Sequence, residues 1–411
     1  MSKKYVIIVP DGMADYPIGE LGGKTPMQYA QKPMMDYLAS RSRVYGCVNN
    51  VPVGMVPESD TANLSILGYD PKIYSKGRSP LEALSMGVAM KSGDVAFRCN
   101  LVHISEDEDI YADKKMIDHS SDEISTKEAD VLIKAIHEAF GTETRHFHTG
   151  VSYRHLMIWN NPPAISDSLV YDFMRPHDIL GKTIREYLPA GEVGEIYLEL
   201  MEKSYEVLVN HPINEARKKE GKRTANSIWF WSPGTKPALP EFTKKTELKG
   251  SVISAVDLIK GIGICAGMRS IDVDGATGNV DSNFTGKADA AIEAFKSGDD
   301  LVFLHMEAPD ECGHRAELDK KVLSIELIDR EVVKPVFDYL NSCREPFAVL
   351  ALPDHPTPLE LRTHSMEAVP FFIYDSECIC EDKQICFDEV SSLKTGVLIP
   401  HGHSLIDLLI K

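Results

Sequence analysis

The sequence predicts an α/β protein: a doubly wound core interrupted by an inserted α+β domain. Three observations predict it. Apolar runs of strand length open the chain at Tyr5–Val9 and return near its end at Asp300–His305 and Phe347–Leu352, and unbroken runs of that kind fit a parallel sheet buried on both faces. Each run passes at once into polar residues able to ligate metals. Between them, from about Asp94 to Thr246, charge density rises and amphipathic stretches alternate with Pro- and Gly-bearing loops, the pattern of a second domain lodged within the first. The expected borders are about 1–93 with 247–411 for the core and about 94–246 for the insert.

Taken in order, Tyr5–Val9 is a β-branched run that ends in a Pro10-Asp11-Gly12 turn, and a helical pattern follows around Met34–Arg41. Helix formers follow Ser59 (TANLSIL), which places this hydroxyl near a helix N-terminus, where backbone N–H groups favour a phosphate. Within the insert, Ser125–Phe140 and Val193–Val209 read as amphipathic helices; Val252–Ile264 then resumes the strand-helix grammar. Gly261-x-Gly263 lacks the third glycine of a dinucleotide fingerprint and follows a predicted helix, and no G-x-x-x-x-G-K-[ST] occurs, so no nucleotide is expected.

The chain has 411 residues, with 44 Lys+Arg against 62 Asp+Glu and a formal net charge of −18. That excess of acid argues against nucleic-acid or anionic-membrane partners, which need a basic footprint. An anionic substrate has to be met by a local cationic pocket or by metal ions. The start, MSKKYVIIVPDG, has no long apolar leader, and no stretch nears the roughly 18 apolar residues of a membrane span. With eight scattered cysteines read as reduced thiols, the expectation is a cytoplasmic protein. Cys378-x-Cys380 with Cys386 lacks a second pair for zinc and reads better as a solvent loop.

Five places put carboxylate, imidazole or hydroxyl groups after strand-like runs: Asp11; Ser59; Asp310 with His314; Asp354 with His355; and His364. Singly, each has a plain reading: a turn former, an N-cap, a solvated ring. Jointly they are harder to dismiss, because loops at the carboxyl ends of strands in an open α/β sheet converge on one crevice. If Asp310-x-x-x-His314 is helical, its side chains share one face about 5–6 Å apart, a bite for one divalent ion. Adjacent Asp354 and His355 point different ways and more naturally serve two ions, an arrangement suited to phosphoryl transfer. Mixed Asp/His ligands suit Mn²⁺ or Zn²⁺, with Mg²⁺ admissible where waters complete the shell.

The segments VPDGMAD, PESDTANLSILGYDP, GRSPLEA, AFRCNLV, DECGH, LPDHPTP and THS…VP, which cover nearly the whole chain in order, together resemble the archaeal-type cofactor-independent phosphoglycerate mutases of the alkaline phosphatase superfamily. The resemblance implies an alkaline-phosphatase-like core in which Ser59 accepts the phosphoryl group. It further implies that Asp310, His314 and His364 hold one ion and that Asp11, Ser59, Asp354 and His355 hold the other. Substrate contacts implied are Arg98, Asn100, Asp118, Arg154 and Asn226 in the insert and Lys287 in the core, with His177 and Asp178 as an acid/base pair. The chemical need is visible independently: a phosphomonoester carrying a carboxylate presents about three negative charges, which arginine forks match bidentately.

Two departures bear on the substrate. The insert has SIWFWSPGTKP where the family pattern has an Arg-Gly segment, and Gly313-His314-Arg315-Ala316 replaces a frequent GHDG. Trp229 and Trp231 read equally as strand core. The activity expected is interconversion of 3-phosphoglycerate and 2-phosphoglycerate through a phosphoserine, with two divalent ions and without bisphosphoglycerate. The alternatives are a homoserine kinase-like or other small-molecule phosphotransfer enzyme of the same superfamily, and a metal-binding protein that retains the fold without catalysis. His401 and His403 read as a surface loop.

Overall fold

In the computed structural model, which describes residues 3–162 and 173–411, the opening apolar run is the strand Lys4–Pro10 (β1). The other strands follow as Val44–Val48 (β2), Asp94–Ile104 (β3), Met116–Asp118 (β4), Arg145–Val151 (β5), Arg154–Asn160 (β6), Ser227–Thr235 (β7), Gly250–Ile253 (β8), Arg269–Ile271 (β9), Leu301–Met306 (β10), Phe347–Ala351 (β11), Val369–Asp375 (β12) and Leu398–Ile399 (β13). Eight form one sheet in the order β13-β2-β12-β11-β1-β10-β8-β9. β1 lies between β10 and β11, parallel to both, with Tyr5 opposite Leu301 and Ala348. β12 is antiparallel to β11 and to β2, so β2 runs the same way as the central strands. The sheet is therefore a parallel core with one reversed strand. β10 and β11 are buried along their whole length, as unbroken apolar runs require when both faces are covered.

The chain divides into two compact units: residues 3–75 with Ala238–Lys411, and Lys76–Pro237. The second is built on an antiparallel sheet in which β3 pairs with β4, β6 and β7, and β6 with β5. The amphipathic stretch is the helix Thr126–Phe140, started by Ser125, whose hydroxyl accepts from Glu128 N at 3.3 Å. It turns Ala129, Leu132, Ile133 and Ile136 inward, the spacing of one helical face.

The unit borders fall earlier than the sequence pattern places them. The helix Ser79–Ser85 sets Ala83 against Ala96, Leu156 and Ile158 and so belongs with the insert, whereas Phe242 of the helix Phe242–Thr246 is buried and bonds through its N–H to Ala266 O in the core. Charge density registers neither contact. Gly261 and Gly263 lie inside the helix Asp257–Cys265 rather than after one; a Cβ on Gly263 would come 2.6 Å from Val252, so the glycine permits close helix-on-strand packing. All eight cysteines are free, and among the described residues no helix is long and apolar enough to cross a membrane.

Candidate active site

The carboxyl ends of β1, β10 and β11 and the segment after β2 carry the predicted groups, and the core unit brings all seven together. Asp11 follows β1 directly. Gly12, at φ +60°, makes the turn; a Cβ there would lie 2.6 Å from Asp310 Oδ1, so only glycine lets the two loops approach. Gly12 N–H donates to Asp354 Oδ1 at 3.1 Å, which links the β1 turn to the loop after β11.

Asp310 and His314 occupy the short helix Ala308–His314, with His314 Nε2 3.2 Å from Asp310 Oδ2. His364 Nε2 lies 3.4 Å from Asp310 Oδ1 and 3.1 Å from His314 Nε2. The outer nitrogens fix the tautomers. His314 Nδ1 faces Arg362 O at 3.0 Å and His364 Nδ1 faces Pro57 O at 2.6 Å; carbonyls only accept, so both Nδ1 atoms carry the proton. Neutral rings held this way turn two bare nitrogens toward one carboxylate, the orientation outer partners impose on metal-binding histidines. With no cation, Asp310 instead draws a proton onto His314, raising its pKa to about 9.

Ser59 is the first residue of the helix Ser59–Ile66, and its Oγ lies 3.2 Å from His355 Nε2. Thr357 orients that ring. Its hydroxyl donates to Asp310 Oδ1, so it can only accept from His355 Nδ1 at 3.3 Å, which leaves His355 Nε2 bare toward the serine. Asn63, one turn below Ser59, donates to Asp354 Oδ2 at 2.9 Å and to Ser59 O at 2.8 Å. Nothing in the chain order placed an imidazole beside Ser59; the fold supplies one.

Three buried carboxylates, Asp11, Asp310 and Asp354, share this small volume. Burial first, and then the charges of Asp354 and Asp310, push the Asp11 carboxyl well above the ordinary carboxylate range. Asp11 Oδ1 is buried without a hydrogen bond. Ligand-capable atoms of Asp310, His314 and His364, of Asp11, Asp310 and His355, and of Asp11, His305 and Asp354 each fall within 4.8 Å of one another. Crowded acids, bare imidazole nitrogens and an orphaned oxygen fit divalent cations, which would relieve the repulsion.

Lys287 is also in the core, fully buried, donating to His305 O at 2.9 Å; burial lowers its pKa to about 8 despite Glu307 and Asp11 nearby. The remaining predicted residues lie in the inserted unit, where several already have partners within the protein. Arg98 is ion-paired with Glu82 and stacked 4.5 Å over Trp231. Asn100 accepts from Trp231 Nε1 at 2.9 Å and donates to His119 O at 3.2 Å. Asp118 caps a turn, accepting from Ser120 N, Asp122 N and Arg223; these bonds outweigh burial and bring its pKa to about 2. Asn226 is committed to the backbone of Ile104, through N–H to Oδ1 and Nδ2–H to O. Arg154 is exposed over the Tyr153 ring, with no carboxylate in ion-pair range among the described residues. His177 and Asp178 lie 3.7 Å apart, half exposed, with His177 edge-on to Trp231 and His119. Trp229 and Trp231 are buried in the unit's core. The sequence reading missed Thr357, Asn63 and His305, although PTP after Asp354-His355 and a histidine ending an apolar strand were signals.

Cys378 and Cys386 are exposed, and among the described residues no cysteine joins a metal-capable group. His401 and His403 stack on each other at 5.6 Å, outside the centre.

A sheet that gathers acids, imidazoles and one serine at its strand ends defines an α/β enzyme with a centre fitted to divalent cations. A family profile described as 2,3-bisphosphoglycerate-independent phosphoglycerate mutase matches residues 39–214. The protein of that name from Methanosarcina barkeri is 47% identical over 408 residues, 99% of each chain. Among solved structures, a Pyrococcus horikoshii protein superposes with a TM-score of 0.82 at 30% identity, covering 100% of this chain and 97% of its own. A cofactor-independent phosphoglycerate mutase from Thermoplasma acidophilum gives 0.67 at 27% identity over 99% of both chains. The chain belongs to the 2,3-bisphosphoglycerate-independent phosphoglycerate mutases.

Proposed function

We propose that this protein interconverts 3-phosphoglycerate and 2-phosphoglycerate by passing the phosphoryl group to Ser59 and returning it to the neighbouring hydroxyl. The observation that carries the proposal is Ser59 Oγ, set at a helix N-terminus 3.2 Å from His355 Nε2, a ring that groups with the Asp11 and Asp310 carboxylates within 4.8 Å. Asp310, His314 and His364 would hold one divalent ion, and Asp11, Ser59, Asp354 and His355 the other, with Mn²⁺ favoured and Zn²⁺ or Mg²⁺ as alternatives. Bound there, the ions would lower the pKa of the serine hydroxyl and offset the phosphoryl charge.

This chain's residues do the rest. The first-turn N–H groups of Ser59–Ile66 would meet a phosphate held at Ser59. Thr357 and Asn63 hold the His355 ring and the Asp354 carboxylate. As Ser59 Oγ releases its proton to solvent and bonds to phosphorus, the ester O–P bond breaks and the glycerate oxygen takes a proton from His177. In the return step the adjacent hydroxyl gives its proton to His177 and bonds to phosphorus, and the Ser59 O–P bond breaks with Oγ regaining a proton. For the inserted unit we assign Arg154 to the substrate carboxylate and His177 with Asp178 to proton movement on the glycerate hydroxyls.

The test incubates purified, Mn²⁺-loaded protein with 3-phosphoglycerate, and separately with homoserine plus ATP, and identifies products by mass. 2-Phosphoglycerate formed without bisphosphoglycerate is expected, together with its loss by roughly 10³-fold or more in Ser59→Ala. Phosphorylated homoserine in place of 2-phosphoglycerate, or a Ser59→Ala variant with substantial activity, overturns the proposal.

A further inference from the structure

His305 is a fully buried polar side chain that the reading above leaves without a task. It lies in β10, where the neighbouring positions are apolar, and its Nε2 comes 3.1 Å from Asp11 Oδ2. Despite that approach Nε2 makes no hydrogen bond, and neither does Asp11 Oδ1. Two orphaned polar atoms side by side in a dry interior are unfavourable unless something else engages them.

The opposite ring nitrogen is anchored. Nδ1 lies 3.2 Å from Ser254 Oγ, which also accepts from Val256 N at 3.0 Å. A hydroxyl oxygen has two lone pairs, so Ser254 can accept the Nδ1 proton as well, and in that tautomer Nε2 is bare. One nitrogen tied to a neutral acceptor and the other turned toward carboxylates is how metal-ligating histidines are held. The third member is present: ligand-capable atoms of Asp11, His305 and Asp354 lie within 4.8 Å of one another.

We propose that His305 Nε2 is a ligand of the cation that Asp11 and Asp354 share. This rests on the two-ion reading of the site and adds to it an imidazole outside the expected ligand set. The consequence is chemical selectivity. A position made only of carboxylate and hydroxyl oxygens suits Mg²⁺, and each imidazole added biases it toward Mn²⁺, Co²⁺ or Zn²⁺.

The experiment titrates Mn²⁺ into the chelator-stripped full-length protein, with free Mn²⁺ read by electron paramagnetic resonance and Mg²⁺ as competitor. The wild type is expected to bind two ions. His305→Gln should lose about 10- to 100-fold in Mn²⁺ affinity at one site, the range seen when histidine partners of a metal are altered. The site of Asp310, His314 and His364 should stay within about threefold, and Mg²⁺ should compete better at the weakened site. Ser254→Ala keeps the ring and removes only its anchor; a loss of more than about threefold confined to one site is expected, and this variant decides the matter if His305→Gln does not fold. Equal losses at both sites, or no change at either, overturn the assignment of His305 while the two-ion reading stands. A wild-type protein that binds no Mn²⁺ overturns both.

Discussion

A partly buried carboxyl with no cation beside it keeps its proton to unusually high pH, and Glu389 is such a group. It accepts from Asp15 N at 3.0 Å and from the Thr25 hydroxyl at 2.7 Å, yet burial raises its pKa from 4.5 to about 7. Between those values the unfolded chain has released this proton and the folded one has not, so stability falls as pH rises through the window and levels off above it. The loss attributable to Glu389 is at most about 3 kcal/mol. Urea unfolding at pH 5 and pH 8 should show a smaller difference in Glu389→Gln than in the wild type; an identical difference would remove Glu389 as the source. The same scale explains what the sequence concealed at the site. Ser59, Asp310, His314 and His355 were legible from motif and spacing, whereas the direct approach of the His355 ring to Ser59, and its tautomer, which depends on Thr357, were not.

Between elements, the loops that carry the ligands are tied by one lysine. Lys321, on the helix Leu318–Ile328, is fully buried; its ammonium donates to Asp15 Oδ2 and to Thr357 O, both at 2.8 Å. It thus joins the segment after β1 to the segment after β11. Lys321→Met leaves the Asp15 charge buried without its partner, so a loss of about 3–5 kcal/mol in urea-derived stability is expected. A loss below about 1 kcal/mol would mean that the backbone donors Leu359 N and Tyr16 N satisfy Asp15 alone. At this scale the sequence showed the central strands β1, β10 and β11 but not their pairing. The strand VPFFIYD is not among the runs that predict the fold, and nothing in its period records that β12 is reversed, because burial on both faces erases the alternation that would mark it.

For the whole molecule, the inserted unit sets the substrate question. Arg98 and Arg154 look alike in the sequence but are not equivalent: the first is neutralised by Glu82, the second carries no counter-charge in reach among the described residues. Arg154→Ala should therefore lower kcat/KM for 3-phosphoglycerate by roughly 10–150-fold, as loss of a charge-assisted bond of about 1.5–3 kcal/mol implies, with little effect on cleavage of an aryl phosphate lacking a carboxylate. Arg98→Ala should depress both reactions and the thermal midpoint, because it strands Glu82. Equal behaviour of the two variants would show that the ion pair does not distinguish them.

The position of β1 in its sheet has a consequence for synthesis. In synthesis this strand precedes both of its neighbours, which are made only when Leu301–Met306 and Phe347–Ala351 have been added. The inserted unit, contiguous from Lys76 to Pro237, has all its strands much sooner and can fold while the core still lacks its centre. Throughout that interval YVIIVP is an apolar strand with two unmet edges, the kind of segment that is prone to aggregate. The edges of this strand thus stay unmet until the last of its two partners is made.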